Sequence, residues 1–309
     1  MLASDSWEIR QLFVAEHVIR ASSVADRSRT CRDTDRPLIG DIAESHLLPP
    51  TYENWKDTMR TSLIPVMTVV DDSTSPSGTS DANRSAPTIV LVHGAWADSS
   101  SWSPVVERLR GDGYDIRSIA NPLQGLDADT AYLSSHLATI DGPIVLVGHS
   151  YGGAVISNID TSAFDIRSLV YIAAFIPLKD ETVGQLAAQS TPALPLIPVQ
   201  VPDGTEVTID QTAFAAAFAG DLDQNTAANL AVAQRPANVK AVSEPSVNEA
   251  FRSIPSWALI TRQDQAIAYD LQRLMVDRTD ADVTEVDASH AVMLSRPDAV
   301  ADLIKQAAR

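Results

Sequence analysis

The chain has 309 residues, 45% hydrophobic and 20% charged, which is enough apolar content to bury a large core. Its formal net charge is −17. That excess of carboxylates repels phosphate backbones and anionic lipid, and so argues against nucleic-acid or membrane-surface partners. The single cysteine, Cys31, excludes an intrachain disulfide and, in a polar stretch between Arg29 and Arg32, reads as a bystander thiol. No apolar run approaches the ~18 residues that span a bilayer. The N-terminus also lacks the basic-then-apolar layout of a signal peptide, so a cytoplasmic location is expected.

Residues 1–86 read differently from the rest. Ser4 to Val18 has an amphipathic helical pattern, Ala21 to Asp41 is polar, and Asp71 to Pro87 (DDSTSPSGTSDANRSAP) resembles a flexible linker. The region reads as a disordered extension, or as the product of a start codon placed too early, with Met59 and Met67 as alternative starts. A Met59 start would expose Arg60 ahead of a short apolar run, a secretory layout that would change the expected location.

From Thr88 the pattern is regular. Ile89–Val92 reads as a strand and Ser103–Arg110 as a helix with a polar N-cap and a proline in its first turn. Strand Tyr114–Ala120, helix Asp129–Ile140, strand Ile144–Val147, helix Gly152–Ile159 and strand Leu169–Phe175 follow. Short apolar strands alternating with helices predict a mostly parallel sheet covered on both faces. The alternation breaks across residues 178–254, which read as an inserted cap. It carries the proline-rich stretch Thr191–Pro202, a hairpin around Asp203-Gly204, and helices near Thr212–Ala219 and Asn225–Ala233. Strand Trp257–Ile260, helix Ala266–Asp277, strand Val283–Val286 and a helix from Pro297 complete one catalytic domain over residues 87–309.

Gly148-His149-Ser150-Tyr151-Gly152-Gly153 fits G-x-S-x-G between a strand and a helix, the setting of a nucleophile elbow. A sharp turn there strains the serine, demands small neighbours and presents Oγ above the sheet. A neutral hydroxyl needs a base, and in this chain order only His290 lies far enough downstream. The acid that orients it is best met by Asp264, one short turn after Trp257–Ile260. Asp180 is the runner-up, and Asp287 lies too near His290 in sequence. After the first strand, His93-Gly94-Ala95-Trp96 allows close backbone approach, so the Ala95 and Tyr151 amides make a candidate oxyanion hole. His93 reads as a brace for that loop and His149 as packing. Trp96, Phe175, Phe214 and Phe218 are candidates for an apolar substrate pocket.

The segments IVLVHGAWADSSSW, GPIVLVGHSYGG, LVYIAAF and DASHAVMLSRPDAVADLI resemble the α/β-hydrolase superfamily, and within it the branch of plant methyl-ester esterases and hydroxynitrile lyases with their bacterial relatives. The resemblance covers Thr88 to Ala307. It implies a triad of Ser150, Asp264 and His290 with the Ala95 and Tyr151 amides as oxyanion hole. Lyases of that branch carry a lysine after the histidine and a threonine where this chain has Gly94; here Ala291 follows His290, which favours the esterase side. The resulting expectation is a serine carboxylesterase for small esters, with no metal or organic cofactor. The alternatives are a hydrolase-derived small-molecule binder, or a hydrolase of a lactone, thioester or carbon–carbon bond. An aspartate-nucleophile enzyme is disfavoured by serine at position 150.

Overall fold

A computed structural model describes residues 86–309; the expectations for the Ser4–Val18 helix, the linker and Cys31 fall outside them. Six strands form one sheet: β1 (Thr88–Val92), β2 (Ile116–Ile119), β3 (Ile144–His149), β4 (Ile166–Ile172), β8 (Ser256–Thr261) and β9 (Asp282–Val286). Their order is β2-β1-β3-β4-β8-β9, and every pairing is parallel.

Side-chain alternation explains why the central strands are apolar throughout. In β1, Val90 and Val92 enter one cluster while Ile89 and Leu91 enter the other; in β3, Leu146 and Val147 divide likewise. The first cluster packs against α2 (Leu126–Leu137), α3 (Tyr151–Ser157) and α8 (Tyr269–Val276). The second packs against α1 (Ser103–Gly111), α9 (Val292–Ser295) and α10 (Pro297–Ala307). A strand buried on both faces has no position for a polar residue, so it reads as a continuous run. The edge strands β2 and β9 are richer in polar residues and less buried.

Chain order reverses between β1 and β3. Such a switch point opens a crevice at the carboxyl ends of the two strands, where loops diverge. The loop from His93 leaves one wall of that crevice, and Ser150 leaves the other.

The cap lies between β4 and β8. Helix α4 (Val183–Ala187) opens it with a capping box of Thr182 and Gln185. A three-stranded antiparallel sheet follows, in the order β5 (Leu196–Val201), β6 (Gly204–Ile209), β7 (Ala237–Asn238). Val201 pairs with Gly204 across the turn, as the Asp203-Gly204 signal predicts. The proline-rich stretch supplies β5, where Pro198 is tolerated because the strand is at the sheet edge. Between β6 and β7 run α5 (Gln211–Phe218), capped by Asp210, and α6 (Gln224–Val232), capped by Asp223. Short helix α7 (Lys240–Ser243) comes after β7.

Several expected boundaries shift. The polar cap expected at Ser103 sits instead at Asp98, whose carboxylate accepts from the Ser100 amide and opens a 3₁₀ turn over Ser99–Trp102. Strand β4 starts earlier than Leu169 and stops at Ile172, because Ala173 turns to φ 43° and leaves the ladder. Helix α8 begins at Tyr269 rather than Ala266, since the Asp264 side chain captures the Ala266 and Ile267 amides in a turn of its own. Among the described residues, no helix is long and apolar enough to cross a membrane.

Candidate active site

Ser150 occupies the turn from β3 into α3 with φ 54° and ψ −124°, a backbone region that L-residues avoid. Its carbonyl accepts from the Gly153 and Phe175 amides, both at 3.0 Å, which holds the strain in place. The turn is tight: a Cβ on Gly148 would fall 2.5 Å from the Gly152 carbonyl oxygen. This is the physical content of the two flanking glycines.

The loop after β9 brings His290 onto the serine, with 2.8 Å between His290 Nε2 and Ser150 Oγ. On the other side of the ring, Nδ1 lies 2.7 Å from Asp264 Oδ2. Ser150 is 3% exposed and His290 0%. Five donors converge on the Asp264 carboxylate: the His290 ring, the Thr261 hydroxyl, the Gln272 amide, and the Ala266 and Ile267 backbone amides. All of them donate, so the carboxylate acts only as an acceptor. That fixes the imidazole proton on Nδ1 and leaves Nε2 free to accept from Oγ.

The other acids considered lie elsewhere. Asp180 is exposed, its amide bonded to the Ser246 carbonyl, and Asp287 is an exposed partner of Arg262. His93 is buried, its Nδ1–H donates to the Gly94 carbonyl at 2.9 Å, and its own carbonyl accepts from Asn121. Burial pushes the His93 pKa down to about 4, so the ring is neutral. The Gly94 backbone passes close to the serine, where a Cβ would sit 2.5 Å from Ser150 Cβ and 3.1 Å from its Oγ. Among the described residues, the Ala95 and Tyr151 amides donate to no protein acceptor.

Of the four aromatic pocket candidates, three gather in one place. Trp96, Phe214 and Phe218 line a small cleft with Leu230 and Met293. Phe214 stacks on Phe218 at 5.0 Å, and Phe218 meets the His290 ring edge-on at 4.7 Å. Phe175 does not line that cleft; it is buried in the cluster under the sheet's first face because the chain bends away at Ala173. Among the described residues, no group of three or more His, Cys, Asp or Glu is gathered as a metal site would require.

The model of the alpha/beta hydrolase family matches residues 89–303. The chain belongs to this family. A carbendazim hydrolyzing esterase from Nocardioides sp. (strain SG-4G) is 33% identical over 116 residues, 33% of this chain and 48% of that protein. The chain therefore spans about half the length of that relative. The structure of a pyrethroid hydrolase from Sphingobium faniae JZ-2 has a TM-score of 0.61 at 21% identity, over 72% of this chain and 97% of that one. A polyneuridine aldehyde esterase has a TM-score of 0.60 at 18% identity, covering 73% and 100%. Both are likenesses of fold.

Within the hydrolase fold, one contact goes beyond what the sequence suggested. His149 does more than pack: its Nε2–H donates to the His290 carbonyl at 3.0 Å, steadying the backbone of the residue that meets Oγ. Burial, reinforced by neighbouring His290, holds the His149 pKa well below its ordinary value. A histidine beside the serine was the only signal for this bond, because its partner is a main-chain carbonyl 141 residues away.

Proposed function

We propose that the chain hydrolyses carboxylic esters through an acyl-enzyme on Ser150. The hydrogen-bonded line from Oγ through His290 to Asp264 carries this reading. His290 Nε2 takes the Oγ proton as Oγ adds to the ester carbonyl. The oxyanion that forms is met by the Ala95 and Tyr151 amides, each such donor being worth about 3 kcal/mol in the transition state. Collapse expels the alcohol, which leaves with the proton from His290. Water then enters, gives a proton to the same nitrogen and adds to the acyl carbon; collapse releases the acid as Ser150 Oγ leaves with that proton.

The crowding at Gly94 supports ester hydrolysis over cyanohydrin cleavage. A threonine side chain there would collide with Ser150, and Ala291 supplies no ammonium after His290. The aromatic cleft suits an apolar acyl or alcohol group. The relatives, a carbendazim hydrolyzing esterase and a pyrethroid hydrolase, make carbendazim and a pyrethroid natural members of a substrate panel. Ser150→Ala should abolish turnover of p-nitrophenyl acetate, a loss of at least ~10⁴-fold in kcat. Full activity in that variant would sink the assignment, and saturable binding without turnover or fluorophosphonate labelling of the parent chain would favour a binder.

A further inference from the structure

Helix α3 begins Tyr151-Gly152-Gly153-Ala154, so its first turn has one long side chain, and Ser150 gives it no side-chain cap. That side chain runs to α2, where the Tyr151 hydroxyl donates to Asp129 Oδ2 at 2.9 Å. Asp129 is wholly buried, and its second oxygen accepts from the Gln124 amide at 3.0 Å. The charge that bears on it is the carboxylate of Glu244, of the same sign; burial and that neighbour raise the Asp129 pKa. A buried carboxyl facing no counter-charge is costly, and a leucine would fill an apolar interface better. What the carboxyl supplies and a leucine lacks is a pair of fixed acceptors, one for the Gln124 amide and one for the Tyr151 phenol.

That phenol belongs to the residue whose amide faces the oxyanion in the reading above. At the near end, the Ser150 carbonyl is held by Gly153 and Phe175. At the far end, Asp129 holds the Tyr151 side chain, and the two glycines and the alanine that follow carry no side chain that could do so. On its other side, the start of α2 is itself tied to the cap. The Asp127 amide donates to Glu244 at 3.1 Å, and the Leu123 carbonyl accepts from the Asn238 amide at 2.8 Å.

We propose that Asp129 is a positioning residue for the oxyanion hole: it holds the Tyr151 hydroxyl, and through it the Tyr151 amide, in line with the developing charge. The inference rests on acylation at Ser150. It is tested in the full chain with Tyr151→Phe, Asp129→Asn and the double variant. The readouts are p-nitrophenyl acetate turnover and inhibition by a phenyl trifluoromethyl ketone. Ser150 adds to that ketone's carbonyl, its proton passing to His290, and leaves an oxyanion in the hole. Tyr151→Phe should lower kcat about tenfold and weaken the ketone by the same factor, with KM within about twofold. Asp129→Asn keeps an acceptor for the hydroxyl and should lose no more than about threefold. The double variant should match Tyr151→Phe. It also removes the carboxyl that the single variant leaves unpaired, so it reports even where that variant fails to fold. A folded Tyr151→Phe or double variant with unchanged kcat and ketone affinity, or with a change in thermal stability or KM alone, overturns the proposal. A parent chain with neither turnover nor fluorophosphonate labelling would instead overturn the ester-hydrolase reading, and this inference with it.

Discussion

At the strand ends, the Asp264 carboxylate takes five donors, three of them from its own β8–α8 corner beyond the His290 ring and Gln272 in α8. The cap grips the same site by other means. The Phe218 carbonyl accepts from the Ala291 amide at 3.0 Å and the Ser289 hydroxyl at 3.3 Å, and the Val207 carbonyl accepts from the Trp96 indole at 3.0 Å. One region is held by side chains that few other residue types could replace. The other is held mainly by main-chain carbonyls, although the Asp221 carboxylate also accepts from the Ser289 hydroxyl, so most of its side chains can vary without loosening these bonds. On the function proposed above, the strand ends hold the groups that react and the cap sets the choice of substrate.

The harshest challenge to that division is Asp264→Asn. An amide presents the wrong mixture of donor and acceptor to five donors, and the His290 tautomer that leaves Nε2 bare is no longer enforced. We expect kcat for p-nitrophenyl acetate to fall about 10³–10⁴-fold with KM little changed. A variant that keeps a tenth of the activity would show that the acid corner does not fix the reaction.

The same division explains what was legible in the sequence. The strands β1 and β3 stood out because burial on both faces forces uninterrupted apolar runs. Ser150 stood out because its strained turn needs glycine around it. His290 followed from chain order, and Asp264 from its place just past a strand. The end of β4 was misjudged by three residues because Ala173 twists out of the ladder, and alanine gives no warning of a positive φ. Phe175 lies apart from the aromatic cleft for the same reason. The cap's grip was invisible because carbonyl oxygens such as those of Val207 and Phe218 look alike in every residue. Asp129 stood only as the first residue of an expected helix, since nothing local marks a carboxylate that a tyrosine 22 residues on will seek.

A dry strand-end region also makes a prediction about pH. His93 and His149 are neutral in the fold, and His93 titrates at about 4 against an ordinary 6.5. Below about pH 6.5 the unfolded chain takes up a proton that folded His93 refuses until about pH 4, so stability is full above this window and falls as pH drops through it. The loss from His93 approaches about 3 kcal/mol by the bottom of the window. Urea unfolding at pH 7 and pH 4.5 should show His93→Gln losing less stability between the two than the parent does. Equal losses would mean that the His93 pocket admits water and a proton.

The gentlest challenge comes from the cap side. Trp96→Phe keeps an aromatic ring beside Phe218 but removes the indole N–H together with part of the ring, leaving the Val207 carbonyl without its donor. One such bond is worth about 1 kcal/mol, a fall of roughly 2–4 °C in Tm for a domain of this size. Because the bond ties cap to loop rather than touching Oγ, its loss should loosen the cleft. KM for a bulky aryl ester should rise about two- to fivefold while kcat holds. Trp96 also follows Ala95, so it is where the two regions are hardest to separate. If kcat falls and KM does not, the indole bond is aiming the Ala95 amide, and the cap helps to write the reaction after all.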